Sequence, residues 1–368
     1  MQGMREKEWA VFGAPLDPLD APEKVEMKLA YLQALGKGGM PAGHPRDPYD
    51  LLVPQLEAAA RGVALRRAGK VETEDWLTPR PSPRSRPRLT PQGFGSFIDT
   101  DGCRRQAARV EGFVREELLP ARPLMVGVDH SQTAGVIEAL AGLYGRELRL
   151  VILDAHSDII STTVRQELYR MLRDEEGEER LSGKEPGFPA GTAPDSFNCG
   201  SFLHHLLEEG KVDPRRLLVL GAADLPPHRA LAAGGSGALA LGEFARLLDR
   251  GVGFLGQREL REGGMRPVRE ALEGMGRGPF YVSIDLDVGA LDAVGACRFM
   301  DLVGLGEEEL LGLAAALAGW LGEEGNSLVG LDVMEMDIHL AGLKHRDGSR
   351  DRTARVAVRM ARTLLEAD

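Results

Sequence analysis

Residues Leu150 to Ile160 read LVILDAHSDII. An aliphatic run gives way at once to Asp154, His156 and Asp158, spaced by single residues. The run suits a strand buried on both faces of a parallel sheet. In open α/β sheets, ligands bind just beyond the carboxyl ends of such strands. Along an extended chain, residues i and i+2 point the same way, so these three polar side chains can share one direction.

The pattern recurs elsewhere. LMVGV, from Leu124, reads as a strand ending at Asp129 and His130. FYVSIDLDV, from Phe280, reads as a strand ending in Asp285 and Asp287. LLVLGAAD from Leu217, VGFLG from Val252 and SLVGLDVMEM from Ser327 are further strands. Between them TAGVIEALAGLYG, LGEFARLLDRG, MRPVREALEGMG and EEELLGLAAALAGWLGE have helical spacing, and RDRTARVAVRMARTLLEA closes the chain as an amphipathic helix. Strands alternating with helices predict a three-layer α/β/α fold around a doubly wound, mostly parallel sheet.

Residues 1 to about 75 read as helices around one early strand, WAVFGAPLD. The Pro- and Arg-rich stretch 78–91, TPRPSPRSRPRLTP, reads as a solvated loop. Residues 164–197 begin as a charged helix and turn Gly- and Pro-rich, which reads as an insertion on the ligand face. With these two features set aside, residues 1–368 are expected to form a single α/β domain.

Composition narrows the function classes. The chain has 368 residues, 43% hydrophobic and 27% charged, a mix that can bury a core. A net charge of -11 argues against nucleic-acid binding and suits a small cationic ligand. Cys103, Cys199 and Cys297 lie far apart and form no disulfide framework. The opening MQGMREKEWA lacks an apolar signal core, and the longest apolar run, Leu310 to Gly322, is too short to span a bilayer. A cytoplasmic protein with no membrane role is expected.

Brought to one sheet edge, His130, Asp154, His156, Asp158, Asp285 and Asp287 would place four carboxylates and two imidazoles together. Four carboxylates repel one another unless cations sit between them. An oxygen- and nitrogen-rich donor set without thiolate favours manganese or a similar ion over structural zinc. Two such ions activate water for hydrolysis at an electrophilic carbon. Taken alone, each motif is weaker: Asp-x-Asp is often a turn or a cap.

VDHS at Asp129, DAHSD at Asp154 and SIDLDV at Ser283 resemble the three metal motifs of the ureohydrolases: arginase, agmatinase, guanidinobutyrase and formiminoglutamase. GLDVMEMD, Gly330 to Asp337, resembles the strand that carries that family's guanidinium-binding glutamate, which places the role on Glu335. FGAPLD, from Phe12, resembles the family's opening strand. The resemblance implies an arginase-like fold with two Mn2+, Fe2+ or Co2+ being alternatives. His130, Asp154, Asp158 and Asp285 would hold one ion, and Asp154, His156, Asp285 and Asp287 the other. A bridging hydroxide would attack a guanidino or formimino carbon, releasing urea or formamide and an amine. Asp158 would hold that hydroxide and pass a proton to the leaving amine. A homo-oligomer, trimer or hexamer, is implied as well.

The sequence also departs from the family. Cys199-Gly200 stands where a proton-shuttling His-Gly is usual, and a thiol of reference pKa about 8.5 relays protons less well near neutrality. His204 and His205 follow on a predicted helix, a turn away from the pocket, and His339, beyond Glu335, could reach the pocket but is expected to lie outside it. Val128 replaces a glycine, and LDA at Leu291 replaces the usual LDP. Arg165, if it faced the pocket, would suit a substrate carboxylate. Cys103 and Cys297 read as buried small hydrophobes. These departures keep a second reading open, a non-catalytic metal-binding member acting as a binding or assembly module. A one-metal zinc amidohydrolase is disfavoured by the extra candidate ligands His130 and Asp287.

Overall fold

The computed structural model describes residues 8–19, 21–37, 44–176, 193, 195–226, 239–300, 303–344 and 348–367. Eight strands form one sheet: β1 Trp9–Ala14, β2 Leu65–Lys70, β3 Arg122–Gly127, β4 Arg149–Leu153, β5 Leu217–Ala222, β6 Gly253–Gly256, β7 Pro279–Asp285 and β8 Ser327–Met334. Their order across the sheet is β2-β1-β3-β8-β7-β4-β5-β6, and every pairing is parallel. The expected parallel α/β architecture is present.

Helices cover both faces: α1 Pro22–Gly36, α2 Pro48–Ala59, α3 Pro91–Asp99, α4 Gly102–Phe113, α5 Thr133–Tyr144, α6 Thr162–Glu176, α7 Phe202–Glu208, α8 Leu239–Arg250, α9 Gln257–Gly263, α10 Arg266–Met275, α11 Glu307–Leu321 and α12 Thr353–Leu365. The sheet's alternation divides the core. Ala10, Phe12 and Ile152 join one apolar cluster with residues of α4, α5, α7 and α8. Val11, Val151, Leu153 and Val282 join the other with residues of α2, α10, α11 and α12. Burial on both faces explains why these strands read as continuous aliphatic runs.

Strand β2 departs from the sequence reading. LRRAGK carries Arg66, Arg67 and Lys70 and is only partly buried. It lies at the sheet's edge, where charge is tolerated and blocks further strand pairing, so no hydrophobic run announces it. The stretch 78–91 also differs from a solvated loop. Pro79, Pro81 and Leu89 are buried, Arg80 donates to the His44 carbonyl at 2.9 Å, and His339 Nε2 lies 2.9 Å from the Pro79 carbonyl. The opening of 164–197 is helical, as expected, and packs into the core: α6 buries Leu168 and Tyr169. The remainder of that stretch falls mostly on 177–192 and 194, outside the described residues.

A buried ionic network ties the site's loops to the N-terminal section. Lys28 on α1 is 0% exposed and donates to Asp17 Oδ2 at 2.9 Å. Arg298 reaches Asp17 Oδ1 at 2.7 Å and Asp337 Oδ2 at 3.1 Å. Removing one partner of a buried pair leaves an uncompensated charge. Lys28→Met is therefore expected to lower unfolding free energy by about 3 kcal/mol, the lower end because Arg298 still holds Asp17. Urea denaturation measures it.

Candidate metal centre

Four adjacent strands in mid-sheet, β3, β8, β7 and β4, deliver the candidate side chains. His130 follows β3, Asp154 follows β4, Asp285 ends β7, and Glu335 follows β8. The strand ends share one local device. Asp129 Oδ1 accepts from the Ser131 amide at 3.1 Å, Asp154 Oδ1 from the His156 amide at 2.6 Å, and Asp285 Oδ1 from the Asp287 amide at 2.9 Å. Each aspartate turns the chain two residues on. The turn and the site are therefore not competing readings. One carboxylate oxygen of Asp154 and of Asp285 stops the strand, and the other is left to face inward.

Those inward atoms converge. His130 Nδ1 lies 3.2 Å from Asp154 Oδ2, 3.1 Å from Asp158 Oδ2 and 2.9 Å from Asp285 Oδ2. His156 Nδ1 lies 2.6 Å from Asp287 Oδ2 and 3.6 Å from Asp154 Oδ1. Among the described residues, ligating atoms gather within 4.8 Å in three groups: His130, Asp154 and Asp285; Asp154, His156 and Asp287; Asp285, Cys297 and Glu335. Asp154 belongs to two of the groups, and so does Asp285. All seven residues are buried.

The residues fit divalent ions. Glu335 Oε2 is buried and makes no hydrogen bond, and Asp154 Oδ2 is met only by His130 Nδ1 at 3.2 Å, an expensive state for carboxylate oxygens unless a further cation or a proton meets them. Asp158 and Glu335 also hold left-handed backbone, φ 52 and φ 62, which is strained for residues with a side chain. Such strain persists where surrounding structure fixes a side chain in place. At Glu335, the Arg298 amide does so by donating to its carbonyl at 2.9 Å.

A second ring of groups orients His130. Its Nε2 lies 2.9 Å from Ser283 Oγ, which donates to Asp332 Oδ1 at 2.6 Å. Asp332 Oδ2 accepts from Thr133 at 2.6 Å and from the Tyr281 hydroxyl. Because Ser283 gives its proton to Asp332, it accepts from Nε2–H, so Nδ1 is the nitrogen turned to the carboxylates; burial opposes a charge on the ring, but Asp285, Asp154 and Asp158 outweigh that and hold it cationic well above its usual range. Hydrogen bonds of this kind typically tune metal affinity. Ser283→Ala is expected to weaken manganese binding by about 10- to 100-fold without unfolding the protein, which calorimetric titration reads.

The electrostatics follow from the crowding. Burial, then repulsion by Asp158, Asp287 and Asp285, pushes Asp154 well above the usual carboxylate range. Burial, then Asp285 and Asp287, does the same to Glu335. Asp285 is pushed up to about 7, by burial and then Asp287. Asp158 goes the other way: burial would raise it, but His130 and Arg165 outweigh that. An acid raised on folding stabilises the fold while protonated, and for Asp285 that contribution is lost as pH rises from 3.8 through about 7. Asp158 alone works oppositely. Chelator-treated protein should therefore melt at progressively lower temperature between about pH 5 and about pH 8, and manganese should abolish the decline. A flat profile in thermal scans would count against this.

Two sequence expectations change, those for Arg165 and Cys297. Arg165 is not free for a substrate carboxylate, because its Nη2 lies 3.1 Å from Asp158 Oδ1. His339 lies outside the centre, as expected, buried against Tyr31 and the Pro79 carbonyl. Cys297 is buried as expected, yet it is the thiol that joins Asp285 and Glu335. Cys199 is half-buried in the turn before α7 and belongs to none of the three groups; its neighbour Gly200 instead accepts from Arg165. His204 and His205 lie on α7, partly buried. Ser283, Asp332 and Asp224, which accepts from Ser157 at 3.1 Å, carried no sequence signal of their own, although all three stand inside quoted stretches.

Residues 63–366 match the sequence profile of the arginase family. The chain belongs to the arginase family. No curated protein matches this arginase-family chain in sequence. Solved structures share its fold. Arginase from Bacillus cereus is 19% identical, with 98% of each chain covered and a TM-score of 0.58. Proclavaminate amidino hydrolase from Streptomyces clavuligerus is 20% identical, over 98% of this chain and 91% of that one, with a TM-score of 0.54. Formiminoglutamase from Trypanosoma cruzi, described with Mn2+, is 14% identical, over 98% of this chain and 93% of that one, with a TM-score of 0.53. No helix among the described residues is long and apolar enough to cross a membrane.

Proposed function

We propose that this arginase-family protein is a dinuclear, manganese-dependent hydrolase of a guanidino or formimino C–N bond, releasing urea or formamide and an amine. The convergence of His130, Asp154, His156, Asp285 and Asp287 from separate strand ends, with Glu335 beside them, carries the reading. When bound, the ions supply Lewis acidity and make water a nucleophile near neutrality. Asp154, common to both histidine-bearing groups, would serve both halves of the centre, and Asp285, which joins the His130 group, would do the same. His130 and Asp158 would complete one half, and His156 and Asp287 the other. Asp158 would hold the nucleophile by hydrogen bond and carry a proton to the departing amine. Glu335, buried and with a free oxygen, would pair with the substrate cation and fix its carbon over the nucleophile. The proposal keeps the expected cytoplasmic setting and a homo-oligomer.

One observation favours a second reading, a metal-binding member without turnover: Arg165 already occupies one oxygen of Asp158. A product assay separates the two. Manganese-loaded protein would be offered arginine, agmatine, guanidinobutyrate, guanidinopropionate, an arginine-containing peptide and formiminoglutamate, with urea and formamide measured separately and a Cys199→His variant alongside. Release of either product by the native protein is the expected result. Silence across the whole panel from both proteins would leave the binding reading in place, and turnover by the variant alone would mark Cys199 as the lesion.

A further inference from the structure

We propose that Cys297, Glu335 and Asp285 form a third metal position beside the dinuclear centre, one that carries a thiolate and takes zinc on the seat the substrate cation would use. The inference rests on the dinuclear reading and adds a softer site to a hard one.

Three separate segments supply the ligands. Asp285 ends β7, Cys297 lies on the stretch that follows it, and Glu335 comes directly after β8. One ligating atom from each lies within 4.8 Å of the other two, and all three residues are buried. The backbone holds Cys297 and Glu335 side by side. Cys297 and Met336 form an antiparallel bridge. On either side of it, the Arg298 amide donates to the Glu335 carbonyl at 2.9 Å, and the Asp337 amide donates to the Ala296 carbonyl at 2.9 Å. Glu335 keeps its left-handed backbone, φ 62, within this frame, so the fold imposes the direction of its side chain.

A buried thiol alone is a small hydrophobe. The neighbour sets this one apart. Glu335 Oε2 is buried without a hydrogen-bond partner, a costly state that a cation relieves. A bound substrate would meet that oxygen during turnover, and an ion shared with Cys297 would meet it when substrate is absent. Donor chemistry selects the ion. His130, Asp154, His156, Asp158 and Asp287 offer nitrogen and oxygen alone, which suits manganese, whereas sulfur beside two carboxylates favours zinc. Three protein ligands with a fourth position open is a common zinc arrangement. As the zinc–sulfur bond forms, the S–H bond breaks and its proton leaves to solvent. Among the described residues, Cys103 and Cys199 join no such group. An ion at this position puts positive charge where a guanidinium would lie, so zinc and substrate would exclude one another at Glu335.

The test is zinc titration of manganese-saturated protein by calorimetry, for the native chain, Cys297→Ser, Glu335→Gln and Cys199→Ser. X-ray absorption at the zinc edge reads the ligands of the first equivalent. The native protein should show one sulfur at about 2.3 Å from zinc, beside lighter ligands. Cys297→Ser should weaken zinc uptake about a hundredfold and remove the sulfur, and Glu335→Gln should weaken it about tenfold or more and keep the sulfur. Cys199→Ser should change neither. Manganese affinity should hold in Cys297→Ser and Glu335→Gln, which also reports that their folds survive. Should Cys297→Ser fail to fold, the sulfur in the native spectrum and the weaker uptake by Glu335→Gln decide the matter. Zinc ringed by oxygen and nitrogen alone, a sulfur that vanishes with Cys199→Ser, or zinc affinity indifferent to Glu335→Gln would overturn the third position while leaving the dinuclear centre standing. A native protein that takes up no manganese would overturn both.

Discussion

Asp285→Asn is expected to abolish formation of a coupled pair of manganese ions and to cut manganese-supported turnover by about 10³-fold or more, since on the proposed reading the charge it removes would serve both halves of the centre. The substitution is close to isosteric. Asparagine keeps a side-chain oxygen for the Asp287 amide, now 2.9 Å from Oδ1, so the turn ending β7 should survive. What goes is the negative charge and the second oxygen, 2.9 Å from His130 Nδ1. A stability measurement separates this account from simple misfolding. Without metal, the wild-type centre holds mutually repelling carboxylates whose ionisation is resisted. Removing one relieves the repulsion, so the metal-free variant should melt higher than metal-free wild type at about pH 8, while gaining less from added manganese. A variant that melts lower than wild type without metal, yet keeps full activity with it, would refute the assignment.

Much of the sheet was legible because buried parallel strands leave a plain mark. Apart from Arg149 at the start of β4 and Pro279 and Ser283 in β7, the two strands are aliphatic or aromatic until the residue where the chain must turn, and the turn residue is itself an aspartate. The same residues thus marked both the end of the strand and the beginning of the chemistry. β2 was not legible because an edge strand is half solvated, and LRRAGK has the composition of a loop. The support of His130 was hidden for another reason. Ser283 and Asp332 are 49 residues apart in sequence and meet only because β7 pairs with β8. Cys297 is similar: a short antiparallel bridge between it and Met336 sets the thiol beside Glu335, and nothing in VGACRFMDLVGLG announces that pairing. Arg165 was noticed but given the wrong partner. Only seven residues separate it from Asp158, yet their meeting depends on the left-handed turn at Asp158, which composition does not reveal.

Glu335→Gln carries the second large effect. The proposed role requires a negative charge that appears when a cationic substrate arrives. In the protein alone the carboxyl is buried at 2% exposure, with one oxygen unbonded, and burial with the nearby Asp285 and Asp287 charges holds it protonated well above the ordinary range. Binding a guanidinium should therefore expel a proton, because the ion pair recovers what desolvation costs the carboxylate. Glutamine keeps the volume and one acceptor but cannot ionise. A charge-assisted hydrogen bond is worth about 1.5–3 kcal/mol, so losing a two-bond contact should lower kcat/KM by about 10²- to 10⁴-fold. Manganese affinity should change little by comparison, since Glu335 lies outside both groups that contain a histidine. Calorimetry in buffers of different ionisation enthalpy supplies the separate readout: wild type should release a proton on binding a guanidino ligand, and the variant should not. Equal proton release by the two proteins would remove Glu335 from cation recognition, and the nearby Asp287 would then be the carboxylate to examine.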